Sequence, residues 1–536
     1  MMDVQLNSWL LFDHARRHNA SVPVVTRHAG GVVHRSTHGQ VTARAHRLMH
    51  ALESLGLQPG DRVATLAWNN QRHLECYIGV PSVRLVLHTL NIRLSPEELA
   101  FIIEDSGDSV ILADSDQLPL LEQVAQLGGL RGVRQVIALA DRVPETSLPN
   151  VVAYEDLIAP FPDVHEPMQI EEHEPFGMCY TSGTTGRSKG VVYTHRSVYL
   201  HTMAVTSACG MAMGPGDCAL PVVPMFHAMA WGVPHTAMAV GAKLVFCEGP
   251  LDAAALVDLL EAERVTISAG VPTVWLAVAD ELDRRGRRPV ALRHISCGGA
   301  QPPRSLIERM LRDHDIPVIQ TWGMTETSPI ASLAWPRHEY ADLPHDEVME
   351  RARCQAGLPI VGLDVSVRDE QGDEVPADGE TMGDLYVRGP WVADRYWKDA
   401  GAEAFVDGWF RTGDVAVRSP DGYFVIADRT KDLIKSGGEW ISSVDMENAI
   451  MSLPGVVEAA VVAMPDEKWL ERPLAAVVLK PGATLSLEDL RSSLADRGFA
   501  KWQLPDRLEL IDEVPRTSVG KFDKKVLRAR FSGVPV

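Results

Sequence analysis

Residues 180–190 read YTSGTTGRSKG, a stretch with three glycines, a succession of hydroxyl side chains, one arginine, one lysine and no acid. An apolar run at 176–179 precedes it and Val191-Val192 follows, so it is expected to be a loop between two strands. Glycines there let successive backbone N–H groups turn inward as an anion-binding nest. The hydroxyls of Thr181, Ser182, Thr184 and Thr185 add donors around Gly183 and Gly186, and Lys189 adds charge. The expected ligand is a polyphosphate. A Walker A loop fits poorly, because Gly183, Gly186 and Lys189 have a different spacing and a strand follows instead of a helix. A Ser–Lys amidase would use Ser182 or Ser188 as nucleophile, but no serine-rich partner segment accompanies them.

Further along are other groups able to do chemistry. In TWGMTETSP (321–329), three hydroxyls and the carboxylate of Glu326 follow Gly323. Thr325 can donate to a phosphate oxygen. A lone carboxylate facing a polyphosphate is repulsive unless a divalent cation intervenes, and Mg2+ is the natural choice. GWFRTGDVA (408–416) carries Asp414, expected in a tight glycine turn, where a carboxylate can accept from both hydroxyls of a ribose. DRTKDLIKSGGEWIS (428–442) is dense in cations and holds Gly437-Gly438. PRTSVGKFDKK (515–525) sets Lys521 after a glycine, among five other Lys or Arg residues of the tail. In PMFHAMAWGVPH (224–235), His227 and Trp231 are four apart and would share one face of a helix. A histidine on an apolar face is more often a satisfied core residue than a catalytic one.

Taken together, these motifs resemble in order those of the adenylate-forming superfamily, and within it the fatty acyl-CoA synthetase branch, over nearly the whole chain. Ser188 departs from the proline usual there, which costs loop rigidity but no contact group. The resemblance implies that ATP, Mg2+ and coenzyme A are used with a small carboxylic acid. The residues expected at the nucleotide are Thr181, Ser182, Gly183, Thr184, Thr185, Gly186 and Lys189, with Gly299, Ala300 and Gln301, and Thr321, Trp322 and Gly323. Thr325 is expected at the α-phosphate, Glu326 at magnesium, and Asp414 and Arg429 at the ribose. Lys431 is implied as the pivot of a mobile C-terminal domain. Lys521 is implied as the lysine of the first half-reaction and Lys435 as a participant in the second. Gly437 and Gly438, lacking a Cβ, are expected to lie against the thiol-bearing arm of CoA. His227 is the implied acyl-site histidine and Trp231 the gate of the acyl tunnel. Apolar and methionine-rich surroundings at 225–238 and 269–274 favour a medium- or long-chain fatty acid. A short thioether acid such as 3-methylthiopropionate, or an aryl acid, is the alternative. The rivals are a peptide-synthetase adenylation domain, which would need a carrier domain, a luciferase, and an ATP-binding regulatory module without turnover.

The elements that must position these groups are legible in outline. Strands are expected at 61–68, 109–113, 243–247, 265–268, 293–297 and 318–321, alternating with helices such as 252–263 and 303–314. Ser95-Pro96-Glu97-Glu98 reads as a capped helix start with a capping-box glutamate. Such alternation implies an α/β fold with a mostly parallel sheet covered by helices, and ligands beyond the carboxyl ends of its strands. SCGGAQPP (296–303) and TWGMTETSP should therefore line one crevice. Short glycine-punctuated strands at 357–427 form a small β subdomain. An α+β module follows, so the expected domains are an AMP-binding body, 1–427, and a mobile C-terminal domain, 428–536.

The chain has 536 residues, enough for two or more cores, and a formal net charge of −20, which argues against a nucleic-acid surface. From Asp428 onward 16 Lys+Arg face 17 Asp+Glu, so nearly all of the negative charge lies in the body. Seven cysteines without paired spacing suggest neither zinc site nor disulfide framework, and a cytoplasmic setting. No signal peptide or membrane span is expected. A homodimer is left open.

Overall fold

The computed structural model describes residues 2–166, 168–181, 187–249, 252–436, 439–466, 468–517 and 522–532. The alternation read from the sequence becomes two mostly parallel sheets rather than one. The first has seven strands in the spatial order Val152–Ala153, Gln135–Ala138, Asp108–Ala113, Arg62–Leu66, Val86–Thr89, Pro175–Tyr180 and Gly190–Thr194. Only its last pair is antiparallel. The second has nine strands. Its parallel centre runs Val318–Gly323, His294–Gly298, Ile267–Gly270, Cys218–Pro221, Lys243–Cys247 and Pro23–Arg27, with antiparallel strands at both edges. The central strands read as apolar runs because helices cover both faces.

Local signals explain the element ends. The helix Pro96–Ser106 starts at Ser95, whose hydroxyl accepts from Glu98 N at 3.3 Å, and stops at Gly107 in the left-handed region (φ 70°). The returning half of the capping box is not formed. Leu99, Ile102 and Ile103 face inward, and such burial contributes about 1.5–3 kcal/mol per side chain. The helices Ala253–Ala262 and Arg304–His314 lie where the apolar periodicity puts them. The strand expected at 265–268 sits two residues later, at Ile267–Gly270. Arg264 at φ 53° and the fully buried Val265 form the turn into it.

Glycine-punctuated strands form a five-stranded antiparallel sheet ending in Trp409–Arg418 and Phe424–Arg429. Another five-stranded sheet, Glu439–Ile441, Ile434–Ser436, Leu470–Leu479, Val456–Asp466 and Arg507–Leu510, carries the C-terminal helices. It encloses its own core around Ile434, Met446, Val461 and Leu490. The turn at 429–433, closed by Asp432 N and Leu433 N donating to Arg429 O, joins these two sheets and has Lys431 at its centre. Among the described residues no helix is long and apolar enough to cross a membrane.

Candidate active site

The loop at 180–190 does connect two strands, Pro175–Tyr180 and Gly190–Thr194, as expected. Ser182, Gly183, Thr184, Thr185 and Gly186 lie outside the described residues. Its two ends are held closely: Thr181 N donates to Lys189 O at 2.9 Å, and Lys189 N donates to the Thr181 hydroxyl at 3.3 Å. The Tyr180 hydroxyl donates to Asp105 at 2.6 Å. The Lys189 ammonium stands 4.9 Å from the centre of the Tyr396 ring, and a Cβ on Gly401 would overlap it.

Strand register brings the next two motifs together. Gly298 pairs with Thr321 in adjacent parallel strands, so residues 299–303 and, after Gly323, residues 324–329 leave the sheet at its carboxyl edge. Gly298 is obligatory there, since a Cβ would strike the Thr321 carbonyl and come within 3.1 Å of the Trp231 ring. Gln301 Oε1 is buried without a hydrogen-bond partner among the described residues. Thr321 is buried, with its hydroxyl donating to Ile319 O.

Thr325 and Glu326 form one turn of 3-10 helix past that edge and are 8% and 5% exposed. Tyr193, from the seven-stranded sheet, donates to Thr325 O at 2.8 Å and so joins the two sheets at this point. Glu326 Oε1 accepts from the Tyr396 hydroxyl at 2.6 Å, and Glu326 O accepts from Ala393 N. Burial, and then the neighbouring carboxylate, push the Tyr396 hydroxyl well above the usual tyrosine range, so it remains a donor.

Residues 391–401 act as a strap across both sheets. Besides holding Glu326 on one side, the strap takes hold of Asp105 on the other through Trp397 Nε1 and Lys398 Nζ. No sequence pattern marks this role. Tyr396 and Glu326 are seventy residues apart, and neither stands in a motif with the other.

Asp414 is 2% exposed. It lies within the continuous strand Trp409–Arg418, not in a turn. Gly413 (φ 73°) lies just before it, and the register with the neighbouring strand shifts nearby. Its carboxylate accepts from Trp322 Nε1 at 3.2 Å and pairs with Arg429 Nε at 2.8 Å. Three residues read separately from the sequence thus meet at one point.

The segment carrying His227 departs from expectation. Residues 228–232 all have positive φ, between 43° and 74°, and form a left-handed turn. His227 and Trp231 therefore do not share a right-handed helical face. An L-residue pays about 1–2 kcal/mol in this conformation, so the turn exists because its flanks impose it. Asn69 grips the strand end before it, donating to Pro221 O and Val223 O and accepting from Met225 N, while the Tyr77 hydroxyl donates to Met225 O. His227 lines a small cavity together with Thr181, Ser188, Tyr180 and Phe226, at the ends of the 180–190 loop. Trp231 is 7% exposed, with its ring tip over Gly298.

Lys435 lies on the C-terminal sheet, its ammonium 5.0 Å from the centre of the Trp440 ring. Gly437, Gly438 and Lys521 lie outside the described residues.

Residues 11–397 match the AMP-binding enzyme family and residues 445–521 the C-terminal domain of that family. A long-chain-fatty-acid–CoA ligase of Thermus thermophilus is 46% identical over 99% of this chain and 96% of its own length. A medium-chain-fatty-acid–CoA ligase of Ectopseudomonas oleovorans is 39% identical over 100% and 97%. A 3-methylmercaptopropionyl-CoA ligase of Ruegeria lacuscaerulensis is 39% identical over 97% and 96%. In fold the chain is similar to the anthranilate CoA ligase AuaEII solved with anthranoyl-AMP (TM-score 0.88, 23% identity, covering 99% and 98% of the two chains). By sequence over almost its full length and by fold, the chain belongs to the AMP-binding enzyme family, the adenylate-forming enzymes that include acid–CoA ligases.

Proposed function

We propose that the protein is an ATP-dependent ligase that joins a medium- or long-chain fatty acid to coenzyme A through an acyl-AMP intermediate. The observation that carries this is a chain of contacts: Lys189 at the loop end stands over the Tyr396 ring, the Tyr396 hydroxyl holds the buried Glu326, and Trp322, just before Thr325 and Glu326, is bonded to Asp414, which pairs with Arg429. Met225, Met229 and Trp231, buried apolar residues with the Trp231 ring beside Gly298, would line the acyl site. The fatty-acid ligases among the relatives support the choice of acid.

In the first step an oxygen of the acid's carboxylate bonds to the α-phosphorus of ATP and pyrophosphate leaves. Negative charge builds up around that phosphorus, and the loop hydroxyls, Lys189, Thr325 and the mobile Lys521 would offset it with preorganised donors. Asp414 and Arg429 would hold the ribose, and residues 299–301 and 321–323 the rest of the nucleotide. Glu326 Oε1 takes the Tyr396 hydroxyl while Oε2 has no hydrogen bond among the described residues, so this carboxylate suits Mg2+. That ion, when bound, would neutralise phosphate charge. In the second step the CoA sulfur bonds to the acyl carbon, the bond to AMP breaks and the thiol proton leaves. The domain beginning near Asp428 would turn about Lys431 between steps, withdrawing Lys521 and presenting Lys435, Gly437 and Gly438. His227 would sit at the acyl carboxylate and Trp231 at the tunnel. The seven cysteines have no paired spacing in the sequence, which is the ground for proposing a cytoplasmic setting.

CoA-dependent AMP release measured from acetate to palmitate, with 3-methylthiopropionate and benzoate alongside, is the test. Highest kcat/KM among medium or long chains is expected. A maximum at 3-methylthiopropionate would replace the fatty-acid reading with the short thioether one, which the Ruegeria relative favours. No acid-dependent release at all would leave an ATP-binding module. Lys521→Ala is expected to slow adenylate formation by about a hundredfold while sparing thioester formation from supplied acyl-AMP; equal loss in both would remove the lysine from its role.

A further inference from the structure

Far from the crevice in function and sequence motif, a second group of chemical ligands stands on the outer helix His38–Ser54. His50 and Glu53 are one turn apart on that helix, and His165 reaches them from the connection between the helix Tyr154–Ile158 and the strand Pro175–Tyr180. One ligand atom from each lies within 4.8 Å of the others, and no other such group of three occurs among the described residues.

The hydrogen bonds around the group fix which atoms are available. His50 Nε2 lies 3.0 Å from Val164 O, and His165 Nδ1 lies 2.7 Å from Glu166 O. A carbonyl only accepts, so these two ring nitrogens carry the N–H. The remaining nitrogens, His50 Nδ1 and His165 Nε2, both turn to Glu53 Oε2, at 3.8 and 3.0 Å. Two lone-pair nitrogens and a carboxylate oxygen facing one another repel unless something positive lies between them. A proton on His165 Nε2 satisfies one contact; a divalent cation satisfies all three. Each imidazole has its far N–H on a backbone carbonyl, the outer arrangement that orients a metal-binding histidine. Phe161 packs flat against His50 at 6.2 Å between ring centres, limiting its rotation.

We propose that His50, Glu53 and His165 form a binding site for a first-row divalent transition metal, of which Zn2+ is the representative. Two imidazoles and one carboxylate are a borderline donor set suited to zinc and not to magnesium or calcium, which take oxygen ligands. Glu53 is 42% exposed, leaving room for it to swing inward and for water in the fourth position, whereas the His165 ring is 7% exposed and fixed. Binding displaces whatever proton the pair shares. The metal would pin the connection at 161–166, which leads into the strand feeding the phosphate loop, to the helix His38–Ser54. Its role is structural, and turnover does not depend on it.

The test uses the full chain, stripped with chelator and dialysed, then titrated with Zn2+ in the absence of nucleotide. Calorimetry and metal analysis are expected to show about one zinc per chain, unaffected by excess Mg2+, with a rise in Tm. His50→Ala and His165→Ala should each weaken uptake by roughly tenfold or more and abolish the rise in Tm. Both should keep adenylate formation. If loss of the buried His165 ring lowers the melting point of the metal-free chain, the surface variants His50→Ala and Glu53→Ala decide the matter. The proposal fails if the wild-type chain takes up no zinc, or if the variants take it up as tightly as the wild type, since the metal then binds elsewhere.

Discussion

The Tyr396 hydroxyl and the Glu326 carboxylate form a charge-assisted hydrogen bond at 2.6 Å inside a site that excludes most water. Such a bond contributes about 1.5–3 kcal/mol, and its loss leaves one carboxylate oxygen unsatisfied. Tyr396→Phe isolates that contribution, because the ring that stands under Lys189 remains. The variant is expected to unfold at lower urea, by about 1.5–3 kcal/mol, and to need more Mg2+–ATP for half-maximal rate. Unchanged urea midpoint and unchanged nucleotide KM together would show that the hydroxyl does not position Glu326. Asp414 is braced in the same manner, one oxygen toward Trp322 and the other toward Arg429. Sequence reading found Asp414, Arg429 and Glu326 because each stands in a distinctive string of residues. It missed Tyr396, Tyr193 and Asp105, whose contacts join elements distant in the chain and leave no local mark.

Among elements, the left-handed turn at 228–232 is the least foreseeable, and it sets where Trp231 lies. A four-residue spacing suggests a helical face, and Ala, Met and Trp are ordinary helix residues with no turn chemistry of their own. Only tertiary grip, by Asn69 and Tyr77 on the preceding residues, forces the left-handed path. Its product is a tryptophan laid over Gly298, where no other residue leaves space. Under the proposed function, Trp231→Ala would open the acyl site at that point. The expected outcome is a shift of kcat/KM toward longer or bulkier acids, with ATP KM little changed; an identical acid profile would dismiss Trp231 as gate. Strands and helices with strong periodicity were legible to within about two residues, as general experience with boundaries suggests. That the strands sort into two sheets instead of one was not, since sheet membership depends on which apolar faces meet across the molecule. At Gly413–Asp414 the sequence suggests a turn where the structure has a bulge, for a related reason: a glycine with positive φ serves either purpose, and only pairing with the neighbouring strand decides.

For the molecule as a whole, the proposal of a pivot at Lys431 raises the question of what ties the segments on either side of it to the C-terminal helix. A buried network of charges and hydroxyls does so at residues 427–447. Ser442 donates to Ala427 O at 2.6 Å, Ser443 N donates to Asp428, and Lys524 donates to Ser443 and pairs with Glu447 at 2.8 Å. Arg528, one turn further along the same helix, pairs with Asp432 at 2.7 Å. The helix Lys524–Ser532 is thus fastened to residues after Lys431, through Asp432, Ser443 and Glu447, while Ser442 and Ser443 also reach back to Ala427 and Asp428 on the strand before it. A turn about Lys431, as proposed, would carry the C-terminal helix with Asp432 and Glu447 and would break the contacts to Ala427 and Asp428. Burial pushes the Glu447 carboxyl from the ordinary 4.5 up to about 7, against the opposing pull of Lys524, and Lys524 itself is raised by Glu447 and Asp428 in spite of its burial. A carboxyl whose folded pKa lies above its unfolded one contributes stability that is full below about pH 4.5 and is lost as pH rises through 7. In the wild type the Lys524 cation already limits that rise and hence the loss. Lys524→Met removes the offset, raises Glu447 further and leaves a buried charge unpaired at alkaline pH, at a cost of about 3–5 kcal/mol. The deficit in unfolding free energy relative to the wild type should therefore be largest near pH 8 and shrink toward pH 6, where Glu447 can take up a proton. Urea unfolding of both chains across that range measures it, and a deficit that is constant with pH, or greater on the acid side, would show that Glu447 is not the group Lys524 holds.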